Sequence, residues 1–379
     1  MTYDFDQIIT RRGSGSLKWD RRSDLDPFWV ADLDFVSPPE VIEAIKDRVN
    51  HGVFGYAVPH QGLNDTLLDY LESKHGTKVK EEEIVHLGGL VPALSLAAKA
   101  FANPGDTMMT CTPIYPPFLG VNKDGGLNLT SINHTIQEGV AGFDWEAMED
   151  AITPDTKLFL LCNPQNPLGR VFPKEDIIRL AQFCERHNLI LVSDEIHADM
   201  IFDEEKTPHY SAIRLDEEFK KRVITLLAPS KTYNIAGLGY SYAVIQDESL
   251  RRQFTAAKGH TLPEINCISY YAAEAAYKHG EPWRAELMRY LHANYTYVKS
   301  FMAEHFPLVE TMNMEATYLF WMDFRAMDIA NPAATFENEC QLFLSDGAYF
   351  GRAGCCRFNI GTPRQRIETA LQKMAEVSL

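Results

Sequence analysis

Lys231 is the residue whose setting points most directly to covalent chemistry. It stands in Ala228-Pro229-Ser230-Lys231-Thr232-Tyr233-Asn234, directly after the apolar run Val223-Ile224-Thr225-Leu226-Leu227. That run reads as a buried strand which Pro229 ends, so the lysine is expected at a strand tip rather than on a solvated helix face. An amine held away from water sheds its proton more easily and can then attack an aldehyde. Two further apolar runs end in polar groups of a complementary kind. Leu189 to Ser193 leads into Asp194-Glu195-Ile196-His197, and Leu158 to Leu161 leads into Cys162-Asn163-Pro164-Gln165-Asn166-Pro167-Leu168-Gly169. In an open α/β sheet, ligands sit outside the carboxyl ends of the strands. Three strands therefore bring an amine, a carboxylate and a side-chain amide to one rim.

This is the set that pyridoxal phosphate requires: an amine for its aldehyde, a carboxylate for its ring nitrogen and a donor for its ring oxygen. The order Asn-Pro-x-Asn-Pro-x-Gly, Ser-Asp-Glu-Ile-His and Ser-Lys-x-x-Asn resembles the fold-type I pyridoxal-phosphate enzymes. Four further stretches make the chain similar to the MalY/PatB group of cystathionine β-lyases. These are Trp29 to Phe35, Gly52 to Tyr56, Asp194 to Met200 and Arg357 to Gly361. The resemblance covers nearly the whole chain. It implies a large domain with a mainly parallel seven-stranded sheet covered by helices, and a smaller α+β domain. The expected division is an arm over residues 1–45, a cofactor-binding domain over 46–285 and a small domain over 286–379.

The same resemblance distributes roles. Asp194 is expected to keep the pyridine nitrogen protonated, Asn166 and His197 to hydrogen-bond the ring oxygen, and Tyr115 to stack on the ring. His197 is expected one helical turn beyond Asp194. Gly88, Gly89 and Leu90, between a short strand and a helix, form a phosphate cradle, because glycine lets the backbone approach and a helix start presents free N–H groups. Ser230 and Tyr56 complete that cradle, Tyr56 from the partner subunit of a homodimer. Arg357, a charge inside an apolar strand, is expected to bind the substrate α-carboxylate as a fork, with Asn166 beside it; the alternative for Arg357 is an internal salt bridge. Arg364, in a first helical turn, is read as a surface or bridging residue. Three departures from the broad family stand out: Ala228 replaces a serine or threonine, Gly239 replaces an arginine that many aminotransferases carry, and Leu168 replaces a smaller residue.

The elements that must position these groups alternate along the chain. Strands are expected at Ile84–Leu87, Thr107–Cys111, Lys157–Leu161, Leu189–Ser193, Val223–Leu227 and Leu238–Ile245. Helices are expected from Pro38, over 91–102, Asp144–Ile152, Pro173–His187, Glu264–Lys278 and Pro282–Ala303. That β/α alternation predicts a mainly parallel sheet. The C-terminal part is expected to hold strands Thr317–Phe324 and Cys356–Ile360 beside helices Thr335–Leu344 and Pro363–Val377. Near the start, Arg11 to Ser16 reads as a flexible polar piece, and Pro27 to Ala31 as an apolar segment that something must cover.

A net charge of −16 argues against nucleic acid or an anionic membrane as the main partner, since both select basic surfaces. No apolar run approaches membrane-spanning length and no signal-peptide pattern opens the chain. The seven cysteines are scattered without a Cys-x-x-Cys pair, which fits small core residues in a reducing cytoplasm, and no metal site is expected. The expected activity is thus a carbon–sulfur β-lyase that cleaves L-cystathionine or another S-substituted cysteine. An aminotransferase is the alternative, because it needs the same lysine, aspartate and arginine. A non-catalytic regulator is a third reading, disfavoured because Lys231 and Asp194 are both retained.

Overall fold

The computed structural model describes residues 3–259 and 262–377. Its centre is a seven-stranded sheet. In spatial order the strands are Ile84–Leu87, Ser241–Val244, Val223–Leu227, Ile190–Asp194, Thr156–Cys162, Thr107–Thr112 and Asn128–Asn133. All neighbours run parallel except Ser241–Val244, which is antiparallel to both of its partners. The parallel strands are nearly continuous apolar runs because helices cover both faces of the sheet. One cluster packs Leu94, Ala97, Leu158, Val192 and Ile224 under the helix Leu90–Phe101, and another packs Phe159, Leu191, Ile177 and Phe183 under Lys174–Arg186.

The register sets the rim. Cys162 pairs with Asp194, Asp194 with Leu226, and Ser241 with Leu87. The strand ends that carry Asn163, Asp194 and Lys231, and the one that precedes Gly88, therefore finish at the same edge. The amide of Glu195 donates to Leu226 O at 2.9 Å and that of Asn163 to Asp194 O at 2.9 Å, which extends the ladder past the strand ends.

A second sheet, of four antiparallel strands, has the order Glu310–Thr311, Leu319–Asp323, Cys355–Asn359 and Ser345–Asp346. The N-terminal arm packs on it. Asp26–Pro27 pairs parallel with Leu342–Phe343, Phe28 packs at a tilt against Phe358 with centroids 4.6 Å apart, and Trp29 packs at a tilt against Phe343 at 4.8 Å. The apolar segment of the arm is covered in this way. The expected loose piece at Arg11–Ser16 is tied down instead. Arg11 forms ion pairs with Asp32 and Asp34 at 2.7 Å each, and the Asp20 carboxylate accepts from the amides of Gly13 and Gly15.

Several element boundaries differ from expectation, each for a local reason. The strand expected over Leu238–Ile245 is Ser241–Val244, because Gly239 at φ 64° closes a short 3₁₀ turn over Ala236–Leu238. The strand expected from Thr317 begins at Leu319, since Thr317 holds φ 72°. The helix expected over Thr335–Leu344 is Pro332–Cys340, ended by Gln341 at φ 55°, and Leu342–Phe343 joins the arm as a strand. The helix expected from Glu264 is Cys267–His279, capped by the Asn266 side chain on the Ser269 amide. His197 lies in a tight turn rather than a helix, with the Ala198 amide bonded to Glu195 O and that of Met200 to His197 O.

Candidate active site

The rim encloses a cavity of about 240 Å³. Gly88, Gly89, Leu90, Tyr115, Asn166, Asp194, His197, Ser230 and Lys231, all anticipated from sequence, line it together. Ala31, Cys162, Ala236, Tyr240 and Ser241 also line it and were not anticipated. Two expected site residues are not in the lining. Tyr56 is fully exposed, and Arg357 is buried and bonded to Asn166.

Each side chain is fixed by local bonding. Lys231 sits in a turn in which the Tyr233 amide bonds Pro229 O and the Ile235 amide bonds Ser230 O, both at 3.0 Å. Its amine donates to Ala31 O at 2.6 Å, so the N-terminal arm closes one wall of the cavity. Asp194 is buried and accepts at Oδ1 from the Ile196 amide at 3.1 Å. The Asn-Pro loop is locked by Gln165, whose amide donates to Pro113 O at 2.6 Å and whose Oε1 accepts from the Leu168 amide at 2.7 Å. Leu168 is accommodated there fully buried. Arg357 donates to Asn166 Oδ1 at 3.0 Å, to Trp29 O at 2.6 Å and to Ser345 Oγ at 3.3 Å. That leaves the Asn166 amide N–H groups free for the cavity.

Burial shapes the proton affinities. It pushes the Asp194 carboxyl up to about 7 against the pull of the Ile196 amide and the Lys231 charge. It pulls the Lys231 amine down to about 8, with Arg357 adding and Asp32 and Asp194 opposing. His197 is pulled down to about 3 by burial and by the charges of Lys231 and Arg357, so its ring is neutral at physiological pH. Burial also lowers Arg357 to about 10, eased by Tyr115 and Tyr318. The salt bridge considered for Arg357 is not formed: among the described residues no carboxylate pairs with it, and its Nε has no partner. Arg364 bridges, as expected: its Nε donates to Asn294 Oδ1 at 2.8 Å.

The residues present fit pyridoxal phosphate. Among the described residues, the buried His197 Nδ1 has no hydrogen-bond partner and the buried Asp194 has no counter-cation in direct contact, and Lys231 shares their cavity. At the expected phosphate end, the helix Leu90–Phe101 follows Gly89; the amides of Leu90 and Val91 lack intrahelical acceptors, whereas Pro92 has no N–H and the Ala93 amide donates to Gly89 O. Ala228 and Gly239 both line the cavity there. A Cβ at residue 239 would stand 3.3 Å from Gly88 O on a left-handed backbone, so the loop is built for glycine and the family arginine has no place in it. Among the described residues Lys231 is the one lysine or arginine in the lining, and an anionic group would depend on backbone amides and Ser230.

Sequence reasoning missed the residues that hold the arm against the site. The Asn359 side chain donates to Val30 O at 2.6 Å and Asp32 O at 2.8 Å. The Asn234 side chain brackets Leu33 and Phe35. Asp34 is a buried hub that binds Lys18 at 2.8 Å, Arg11 and Arg366 at 2.7 Å, and the Trp19 indole at 2.8 Å. Both asparagines fall inside motifs that had been singled out, and that placement was the available signal.

The chain belongs to the class I and II aminotransferase family, whose model matches residues 30–374. Within it, the chain is 35% identical over 383 residues to cystathionine β-lyase PatB of Bacillus subtilis, covering 98% of each sequence. It superposes on the crystal structure of OvoB with a TM-score of 0.94 at 37% identity, covering 100% of both chains. Cystalysin from Treponema denticola, a structure that contains pyridoxal 5′-phosphate, matches at a TM-score of 0.93 and 31% identity over 99% of this chain and 98% of that one. Among the described residues no helix is long and apolar enough to cross a membrane.

Proposed function

We propose that this protein is a pyridoxal-phosphate-dependent carbon–sulfur β-lyase that converts L-cystathionine, or another S-substituted cysteine, to a thiol, pyruvate and ammonia. The observation that carries the proposal is one cavity holding an amine lowered to about 8 and a carboxyl raised to about 7. The full-length similarity to PatB favours the lyase over the aminotransferase.

In this reading Lys231 would hold the cofactor's aldehyde carbon, Asp194 its ring nitrogen and the Asn166 amide its ring oxygen, with His197 beside it. Tyr115 would stack on the ring, and Gly88, Gly89, Leu90, Ser230 and Tyr56 would hold the phosphate. When bound, the cofactor supplies an electron-withdrawing ring that takes up the electron pair left at Cα. Arg357 does not line the cavity itself; through its unpartnered Nε and its contact with Asn166 it would meet the substrate carboxylate there and so fix which bond of Cα faces the lysine. Once the substrate's own amine has taken its place on the cofactor, the freed Lys231 amine, poised near the working pH, would take the Cα proton and pass it to the departing sulfur, and water would then release pyruvate and ammonia. Tyr56 reaches the site of the second subunit of a homodimer. Its full exposure, in a stretch where Val53, Phe54 and Val58 are exposed too, fits a surface that a second copy covers. The seven free, buried cysteines fit work in the reducing cytoplasm.

The test is to add L-cystathionine to the cofactor-loaded protein without any keto acid and to follow pyruvate together with visible absorbance. Sustained pyruvate release is expected, and Lys231→Ala should lose both the visible band and the activity. A single stoichiometric bleaching, reversed only by a keto acid, would instead establish an aminotransferase.

A further inference from the structure

The oxygen of Ala31 receives two hydrogen bonds. One comes from the Lys231 amine at 2.6 Å and the other from the hydroxyl of Tyr318 at 3.0 Å. Tyr318 is fully buried and does not line the cavity; its ring stands edge-on to His197 with centroids 6.2 Å apart. The arm around Ala31 is also held without Tyr318: Asn359 holds the carbonyls on either side of it and Asn234 holds Leu33 and Phe35. The hydroxyl is thus not the arm's sole anchor at this point.

Its placement is also strained. Thr317, buried and β-branched, holds φ 72°, a conformation that its branched side chain disfavours. It is kept there by its amide on Met200 O at 2.8 Å, and its Oγ1 accepts from the Leu319 amide at 3.2 Å. Strain of this kind persists only where the surroundings enforce it, and it is found beside functional groups. Here it turns the chain so that the next residue, Tyr318, aims at the acceptor of the lysine.

We propose that Tyr318 is a positioning residue for the reactive lysine: its hydroxyl shares the Ala31 oxygen, so the amine is kept aimed into the cavity without being locked there as an ammonium. The inference rests on the reading of Lys231 as the cofactor-binding amine. An acceptor already engaged by a hydroxyl binds an ammonium less strongly, and a weaker bond to the charged form favours the neutral amine that must attack. The charged groups facing Lys231 are Asp32, Asp194 and Arg357; those acting on Tyr318 are Asp32 and Arg357, with the titratable but neutral phenol of Tyr115 beside them. None of them is altered when only the tyrosine hydroxyl is removed.

The test uses full-length protein stripped of cofactor: wild type, Tyr318→Phe and Asn359→Ala. Each is mixed with pyridoxal phosphate across a pH series, and the rate at which visible absorbance appears gives the pH midpoint of the attacking amine. Tyr318→Phe frees the Ala31 oxygen for the ammonium alone, so its midpoint should rise by about half to one pH unit. Loading near neutral pH should then slow by about three- to tenfold. Asn359→Ala lets the carbonyl drift from the amine and should move the midpoint down. An unchanged or lower midpoint in Tyr318→Phe, or a shift of both variants in the same direction, overturns the proposal. If Tyr318→Phe does not fold, Thr317→Gly, which relieves the backbone that aims the ring, carries the same upward expectation. Failure of the wild type to gain absorbance is a separate outcome: it refutes the assignment of Lys231, and the role of Tyr318 falls with it.

Discussion

Removing the charge of Asp194 should stabilise the cofactor-free protein while weakening its hold on the cofactor. Burial raises this carboxyl from 3.8 to about 7. The folded protein therefore keeps a proton that the unfolded chain releases from about pH 4 upward. Between those values the folded state binds more protons than the unfolded one, so stability falls as pH rises, and above about pH 7 the cost is constant. Three pKa units correspond to about 4 kcal/mol. Asp194→Asn retains the oxygen that accepts from the Ile196 amide but carries no charge. For a chain of 379 residues, with an unfolding entropy of about 0.8 kcal/mol per kelvin, its cofactor-free Tm at pH 8 should be about 5 °C above wild type. At pH 5 the difference should shrink to less than half, because the unfolded carboxylate is then only about one unit above its own pKa. Cofactor should reverse the order, since a protonated ring nitrogen gives the carboxylate a partner that the amide cannot serve. Thermal melts with and without pyridoxal phosphate at the two pH values make the check. An Asn variant that is no more stable at pH 8, or equally favoured at pH 5, would refute the reasoning.

Arg357→Ala should reduce kcat/KM for L-cystathionine by about 10²- to 10³-fold, mainly through KM, while the visible band is retained; Arg357→Lys should restore little of it, because one ammonium cannot replace a two-pronged donor. Steady-state kinetics and the spectrum together separate this from a folding defect. Asp34→Ala should cost about 3–5 kcal/mol, because Lys18 is left buried without its closest partner. Burial raises the Asp34 pKa, but Lys18 and Arg366 outweigh it and hold the carboxyl well below the usual range. This contribution is present above the unfolded value of 3.8 and is lost as pH falls toward the folded one, so the gap between variant and wild type in urea melts should narrow under acid conditions.

The sequence alone determined the centre of the site. Apolar runs ending at Asp194, Cys162 and Leu227, and the glycine pair after Leu87, are local patterns. Once they form parallel strands, the general rule of α/β sheets places Lys231, Asp194 and Asn166 on one rim. The same locality explains the boundary errors: Gly239, Thr317 and Gln341 stop their elements through positive φ angles that flanking periodicity does not reveal. Only the tertiary structure decided what sits around that centre. The Ala31 oxygen lies 200 residues from Lys231 in the chain, and Arg357 meets Asn166 across 191. Asp34 gathers cations from residues 11, 18 and 366. The shifted proton affinities of Asp194 and Lys231 belong to this second class as well. Residue type gives a group its ordinary pKa, but loss of water and the placement of distant charges set the value at which it works, and both exist only after the arm has closed over the sheet.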